Sequence, residues 1–473
     1  AKIVSEEQNG VMVTLLSPHN NLDNVAISNL YNYIASAKGW KPITSSAVAK
    51  WRESADLLTS AGRQGVSNFR NTKSMQVKRS RPTAPFLYWT LDGWEVELLY
   101  QSTKTDSKGH TVTTYHNRLT LEVVLDPCCN YPIGYAIGTH ETPELIKEAL
   151  RNAARHSREL FGTMLRTHQL QCDHYAIKAM TPYYNVMSAK VTPARVKNAK
   201  AKVVEPYFGY LNKKYCKMMN NWSGYGVTTD PKRQPNAEML NQLRHTFPDE
   251  QGVREQIESI IAMERQSKIS QLRQMMEGLG EERKLPLSKE LYLLHFGVTN
   301  GHTIAIEGCG LRPRLLGVRR EYDCFDIRFR EHQGEKWTVR YDPDDMSEVL
   351  ATNESGTLRF MLSEKYTQPM ALADRKEGDA EELARVRAFN RSLENHVTER
   401  LAIAHAGARQ VIEELPQNDT LHRLLICDSR GRHKDQRSQA RKTQIDVEAL
   451  EVKTIEVPIT NRDNEEEDDY SIF

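Results

Sequence analysis

Three acidic residues in this sequence sit in settings that suit one kind of chemistry. Asp92 lies inside Phe86-Leu-Tyr-Trp-Thr-Leu-Asp-Gly-Trp, an apolar and aromatic run that reads as a buried strand. Asp173 follows His168-Gln-Leu-Gln-Cys, a second short strand. Glu205 opens a helix in Lys202-Val-Val-Glu-Pro-Tyr-Phe-Gly-Tyr-Leu-Asn-Lys-Lys-Tyr. The separations are 81 and 32 residues. A carboxylate buried on a strand needs a partner that offsets the desolvation of its charge. A shared divalent cation can serve three acids at once. Mg²⁺ favours oxygen ligands and retains waters, so a few carboxylates and a phosphate complete its shell. Two such ions about 3.5–4 Å apart stabilise both the attacking and the leaving oxygen of an in-line phosphoryl displacement.

The elements that must position these acids are legible around them. Strands are expected over 86–100, 113–126 and 132–139, with 101–112 as a long polar hairpin tip. Thr142 then caps a helix that has Pro143 at its first position. Strand 168–172 delivers Asp173, and a short strand near Lys190–Thr192 precedes the Glu205 helix. Antiparallel strands followed by alternating strands and helices give a mixed α/β sheet.

The order Asp, Asp, Glu on strand, strand end and helix resembles the DDE family of transposases and retroviral-type integrases, nearest to phage Mu-type transposases. Leu121-Glu-Val-Val-Leu-Asp-Pro-Cys-Cys-Asn-Tyr-Pro-Ile-Gly-Tyr-Ala is similar to the family's second and third strands. Lys197-Asn-Ala-Lys-Ala-Lys-Val-Val-Glu resembles its lysine-bearing loop, and Trp337-Thr-Val-Arg-Tyr-Asp-Pro-Asp-Asp-Met the small β-barrel that follows. Together these matches cover roughly residues 85–350. The short gap between Asp173 and Glu205 is close to the integrase class, whereas phage Mu transposase carries a larger insertion there.

The resemblance implies an RNase H-like α/β catalytic core with a mixed five-stranded sheet, spanning 85–247. It implies that Asp92 bridges two Mg²⁺ (or Mn²⁺) ions, with Asp173 completing one site and Glu205 the other. The reactions implied are hydrolysis at a mobile-element end, freeing a 3′-hydroxyl, and attack of that hydroxyl on target DNA. No covalent protein intermediate is needed. Neither step consumes ATP, and the chain has no G-x-x-x-x-G-K-[ST] phosphate loop. Lys200, Lys202, Asn212 and Lys213 are candidates for contacts near the scissile phosphate, and His174 either touches it or is structural. Asn221-Trp-Ser-Gly-Tyr-Gly reads as a substrate-side loop.

At 473 residues the chain is long enough for three or more domains. The net charge of +2 hides segregation into basic and acidic stretches. There is no apolar run of 18 residues, so no membrane-spanning helix is expected, and no signal-peptide pattern. Seven cysteines without a C-x-x-C spacing argue against zinc or a disulfide framework and for a reducing compartment. The expected location is the cytoplasm of a bacterial or phage-infected host cell, at the nucleoid.

The flanks read as DNA-facing modules. In residues 1–80, Leu22 to Ile34 and Ile43 to Arg52 form two helices about a Gly39-Trp-Lys-Pro turn, with Thr44 or Ser45 as cap. This arrangement fits either a helix-turn-helix or a small bundle without a ligand. Lys50 and Arg52 lie on the second helix, and Arg63, Arg70, Lys73, Lys78, Arg79 and Arg81 populate a connector suited to a phosphate backbone. Residues 248–285 read as a charged, amphipathic helical linker, a solvated connector. Residues 286–365 read as a small β-barrel in which Arg319 and Arg320 belong to a basic cluster. A long polar helix over 376–416 precedes a disordered tail, 417–473, basic and then acidic. That tail either serves solubility or docks DNA or a partner.

The resemblance therefore implies a DNA transposase acting on double-stranded DNA as a dimer or tetramer, and its phage Mu-type side implies an AAA+ ATPase as a target-selecting partner through the tail. A non-catalytic DNA-binding regulator and an RNase H-like structure-specific nuclease are the alternatives.

Overall fold

A capped helical cluster begins the computed structural model, which describes residues 5–75, 79–105, 107–193, 203–225, 231–308 and 310–414. Its helices are α1 (Glu6–Leu16), α2 (Asn24–Lys38), α3 (Ser45–Ser54), α4 (Asp56–Gln64) and α5 (Val66–Thr72). The Asp23 carboxylate caps α2 by accepting from the N–H groups of Val25 and Ala26 at 2.9 and 2.7 Å. Thr44 caps α3. The Asn32 side chain brackets the backbone of Ile43, accepting at 2.8 Å and donating at 2.9 Å, which fixes the α2–α3 turn. Met12, Leu16, Ile27, Tyr31, Ala35 and Val48 close a core of their own.

A mixed sheet follows. Its elements are β1 (Tyr88–Glu95), β2 (Tyr100–Thr105), β3 (Thr111–Asn117), β4 (Thr120–Asp126), β5 (Tyr131–Gly138), α6 (Pro143–Phe161), β6 (Leu165–Cys172), α7 (Ile177–Met187), β7 (Ser188–Pro193), α8 (Val204–Lys214), α9 (Ala237–Leu243), α10 (Glu250–Glu277) and β8 (Leu285–Pro286). The strand order is β5-β4-β1-β6-β7, with β8 paired to β6, so the sheet has six strands rather than five. β4 and β5 run antiparallel to their neighbours, β6 and β7 parallel along β1-β6-β7, and β8 antiparallel to β6.

Two strands expected as continuous are each broken. The Val96 N–H donates to the Leu119 carbonyl at 2.9 Å, which closes the ladder where β1 ends and β4 begins. The chain between them leaves the sheet as a separate ribbon, β2 against β3.

α6 covers one face, capped by Thr142 with Pro143 in its first turn. A Cβ on Gly134 would stand 2.4 Å from the Ala149 carbonyl oxygen, so β5 and α6 approach each other only through a glycine. α8 and α10 cover the other face. The expectation of a solvated connector over 248–285 is overturned, because α10 buries Val253, Ile257, Ile260, Ile261, Leu272 and Met276 in the sheet's two apolar clusters. A 3.6-residue apolar stripe within a charged helix marks such a packed face.

Next come α11 (Lys289–Phe296), β9 (Val298–Ala305), β10 (Arg314–Leu315), β11 (Val318–Arg319), β12 (Tyr322–Asp323), α12 (Ile327–Glu331), β13 (Lys336–Asp342), β14 (Asp345–Asn353), β15 (Arg359–Glu364) and α13 (Asp379–Glu413). The expected barrel is an antiparallel sheet of order β12-β15-β14-β13-β9, whose pairing does not close on itself among the described residues. Asp342 on β13 accepts from Arg151 of α6 at 2.7 Å and from the Tyr292 hydroxyl at 2.8 Å.

The chain divides into two compact units, Ala1–Cys324 with His332–Lys365, and Phe325–Glu331 with Tyr366–Phe473. In the second, α12 and α13 are joined by an edge-on Phe325–Phe389 pair at 5.5 Å and an Arg400–Glu331 ion pair at 2.9 Å. The tail over 417–473 lies outside the described residues. Among the described residues, no helix is long and apolar enough to cross a membrane.

Candidate active site

Strand alternation decides which way Asp92 faces. Side chains two apart share a face, so Tyr88, Thr90, Asp92 and Trp94 stand together, opposite Trp89, Leu91 and Gly93. Trp89 and Leu91 belong to the α6 side of the core. Trp94 stacks on Phe208 of α8 at 5.4 Å. Glu205 precedes Phe208 by three residues, one turn along the same helix face. α8 is held there by Val204, Tyr207, Phe208 and Leu211 packed with Leu121, Val123 and Leu125 of β4. The helix bearing Glu205 therefore lies on the sheet face that carries Asp92.

The parallel register decides where Asp173 stands. Tyr88, Trp89 and Thr90 pair with Gln169, Leu170 and Gln171, a constant offset of 81 residues. The same offset separates Asp92 from Asp173, which lies one residue past the end of β6 and beyond the last pair of the ladder. Gln171 Oε1 accepts from the Tyr88 hydroxyl at 2.7 Å and from Thr90 at 3.4 Å, so the paired strands present one common face. At the exit of β6 the Tyr175 N–H donates to Asp173 Oδ1 at 2.7 Å, an Asx turn that fixes the carboxylate. Asp92 and Asp173 are half-buried and Glu205 is exposed. Among the described residues, no three His, Cys, Asp or Glu side chains are gathered closely enough to hold a metal ion. The oxygen-only donors at this edge are the type that hard divalent cations select.

Sequence reasoning passed over two acids on the reverse side of the same edge. Glu122 is fully buried on β4 and pairs in register with Gly93. A Cβ at position 93 would stand 2.9 Å from Glu122 Oε1 and 3.5 Å from Glu141 Oε2, so the glycine leaves room for both. The available signal was a lone acid inside Leu121-Glu-Val-Val-Leu. Tyr184 is buried nearby, its hydroxyl without a hydrogen-bond partner among the described residues. Burial, and then the neighbouring Cys172, Asp173, Glu122 and Glu141, push this phenol above its usual range. At the far end of β4, burial pushes Asp126 up to about 7, against hydrogen bonds from Phe86, Cys128 and Trp89.

A buried acid also anchors α8. Glu264 of α10 accepts from the hydroxyls of Tyr210 and Tyr215 at 3.0 and 2.6 Å, from Lys214 at 2.9 Å, and from Lys268. Burial raises its pKa, but the hydrogen bonds from Lys268, Tyr215 and Lys214 overcome this and hold it at about 2.

The residues expected at DNA fall into four groups. Lys50, Arg79, Arg81, Lys213 and Arg319 are exposed, as is His174. Arg52 and Arg320 are engaged with the protein: Arg52 donates to Asn24 Oδ1 at 3.0 Å and the Leu22 carbonyl at 2.7 Å, and Arg320 pairs with Glu364 at 2.7 Å. Lys200 and Lys202 lie outside the described residues. The expectation for Asn212 is corrected, since it is buried and accepts from Trp222 Nε1 at 2.7 Å. The expected substrate-side loop is likewise inward: Asn221 and Trp222 are buried, and Asn221 donates to the Leu99 carbonyl and to Gln256.

No protein-family model and no curated protein matches the sequence. Among solved structures, the chain is similar to a chain of the simian T-cell lymphotropic virus intasome in complex with the PP2A regulatory subunit B56 gamma, at 11% identity and a TM-score of 0.23, covering 76% of this chain and 100% of that one. A likeness of that size carries no argument about fold or function.

Proposed function

We propose that this protein is a DDE-type DNA transposase with an RNase H-like core, a polynucleotidyl transferase that binds the ends of a mobile element, frees their 3′-hydroxyls and joins them to target DNA. The observation that supports this reading is the β1–β6 register: its 81-residue offset, carried past the last pair Thr90–Gln171, would set Asp92 beside Asp173, and α8 with Glu205 packs on the sheet face of Asp92. A pure binding protein has no need of an acid inside a strand, a second just past the neighbouring strand and a third on the helix that covers the same face. Carboxylates brought to one phosphate would repel each other, and a divalent cation would offset that repulsion while accepting phosphate oxygens.

In this reading Asp92, Asp173 and Glu205 hold two Mg²⁺ or Mn²⁺ ions. When bound, the ions supply charge stabilisation at the attacking and leaving oxygens. The protein's own part is positioning. The β1–β4 ladder holds the backbone of Asp92, an Asx turn holds the Asp173 carboxylate, and the Glu264 network holds the helix of Glu205. Exposed Lys213, Arg79, Arg81, Lys50 and Arg319 are suited to phosphate contacts. Two element ends must be held together, so the active form is a dimer or tetramer on double-stranded DNA. The tail over 417–473 is the candidate surface for an AAA+ ATPase partner.

The test is strand transfer in Mg²⁺ or Mn²⁺, with pre-cut duplex ends taken from the DNA flanking the coding sequence and a supercoiled plasmid. Wild type should give metal-dependent joined product, and Glu205→Gln should not. DNA binding without joining in either metal would favour a regulator, and cutting without joining a nuclease.

A further inference from the structure

The β2–β3 ribbon has a surface and a position that the fold does not explain. An isolated two-stranded hairpin is marginally stable in water, so its projection from the sheet calls for a reason. Its base is firmly anchored. Gln101 donates through its N–H to the Pro248 carbonyl at 3.0 Å and through Nε2 to the Phe247 carbonyl at 2.7 Å. Tyr115 meets His245 edge-on at 5.4 Å and lies under the Arg244 guanidinium at 5.3 Å.

Beyond that base the ribbon carries no core. One face is a threonine ladder, with hydroxyl pairs Thr103–Thr113 at 3.0 Å and Thr105–Thr111 at 3.4 Å. The other carries exposed Lys104 opposite Val112, the one large apolar side chain exposed there, and Lys108 and His110 are exposed at the tip. From Gln101 to Arg118 the sequence holds Lys104, Lys108 and Arg118 with two histidines against a single acid, Asp106. Hydroxyl donors and cations in this proportion match a sugar-phosphate backbone rather than an apolar protein surface.

The placement is as specific as the composition. β1 runs parallel to β6, so the ribbon leaves β1 at the same sheet edge where β6 delivers Asp173. Strands of this length reach about 20 Å, and the major groove, about 12 Å wide, admits a two-stranded ribbon. We infer that the β2–β3 ribbon is an arm that lies on duplex DNA beside the reacting phosphodiester, its threonines and lysines on the backbone; this rests on the transferase reading above.

The test uses the full chain carrying Lys104→Glu and Lys108→Glu, both at exposed positions whose change leaves the core intact. A fluorescent duplex is titrated across a salt series, and a photo-crosslinking residue is placed at Val112 in a second variant. The inference expects weaker binding, a log–log salt slope shallower by about 2 (about 0.9 per lost phosphate contact), and crosslinks to DNA close to the joined nucleotide. Wild-type joining with an unchanged slope in the double variant and no crosslink overturns the arm and leaves the transferase standing. A wild type that neither binds nor joins DNA overturns both.

Discussion

Thr90 on β1 and Gln171 on β6 pair across a parallel ladder, the last of three pairings that share an 81-residue offset, and the same offset separates Asp92 from Asp173 just beyond it. A one-residue slip of that ladder would turn every side chain of the strand to the other face, Asp92 among them. The strand pair is thus the device that would set the two carboxylates against one phosphate.

If the two act as a unit, their removal is not additive. Asp92→Asn and Asp173→Asn are each expected to lower joined product by at least about 100-fold, and the double variant by little more than either alone. Single-turnover strand transfer measures this. Thermal unfolding should show little loss of stability, since Asn matches Asp in size and at position 173 keeps an oxygen to accept from the Tyr175 N–H. Multiplying losses would indicate two independent groups.

The settings of the three acids were readable from sequence, because local pattern marks each of them: an apolar run for Asp92 in β1, a strand end for Asp173 past β6, a helix start for Glu205 in α8. What escaped was the set of residues whose role depends on which helix covers which face. Asn212 shares a helix with Glu205, yet it points to Trp222, and periodicity alone could not choose between substrate and core for it. α10 looked solvated because its charged face dominates its composition, although its apolar stripe fills the sheet's core. The break that frees the ribbon was hidden because Val96, Leu98 and Tyr100 continue an apolar–polar alternation with Glu95 and Glu97 from the end of β1 into β2.

Asn212 and Lys213 are neighbours in sequence and should separate cleanly by experiment. Asn212→Ala strands the buried Trp222 indole N–H, at a cost of about 1–3 kcal/mol. Lys213→Ala, at an exposed position, should leave stability within about 0.5 kcal/mol of wild type but weaken DNA binding. Chemical denaturation paired with a binding titration checks both. Equal stability of the two variants would refute the inward role of Asn212.

Gly134 tests the fit of α6 on β5. A methyl group there would meet the carbonyl oxygen of Ala149 and the backbone and Cβ of Ala153, none of which can swing away as a flexible side-chain end could. Gly134→Ala is expected to cost about 3 kcal/mol through overpacking, seen as a lower unfolding midpoint and faster amide exchange along β5. Gly10→Ala, where nothing lies within 4 Å of the new methyl, is the matched control.

Glu264 links stability to pH through the helix that carries Glu205. Its folded pKa is about 2 against an ordinary value of 4.5, so the unfolded chain binds more protons between those values. The stabilisation is therefore fully present above pH 4.5 and is lost as pH falls towards 2. Glu264→Gln leaves Lys214 and Lys268 without their carboxylate and should cost about 3 kcal/mol at neutral pH. The difference from wild type should shrink below pH 4.5, because protonation removes the same charge from the native protein. Activity should fall more than DNA affinity, since the network steadies α8 through Tyr210, Lys214 and Tyr215 on the helix and at its end. Denaturation midpoints across pH, set beside joining rates at saturating DNA, test both parts. A difference that stays constant down to pH 3 would show that the carboxylate's charge is not what holds the helix.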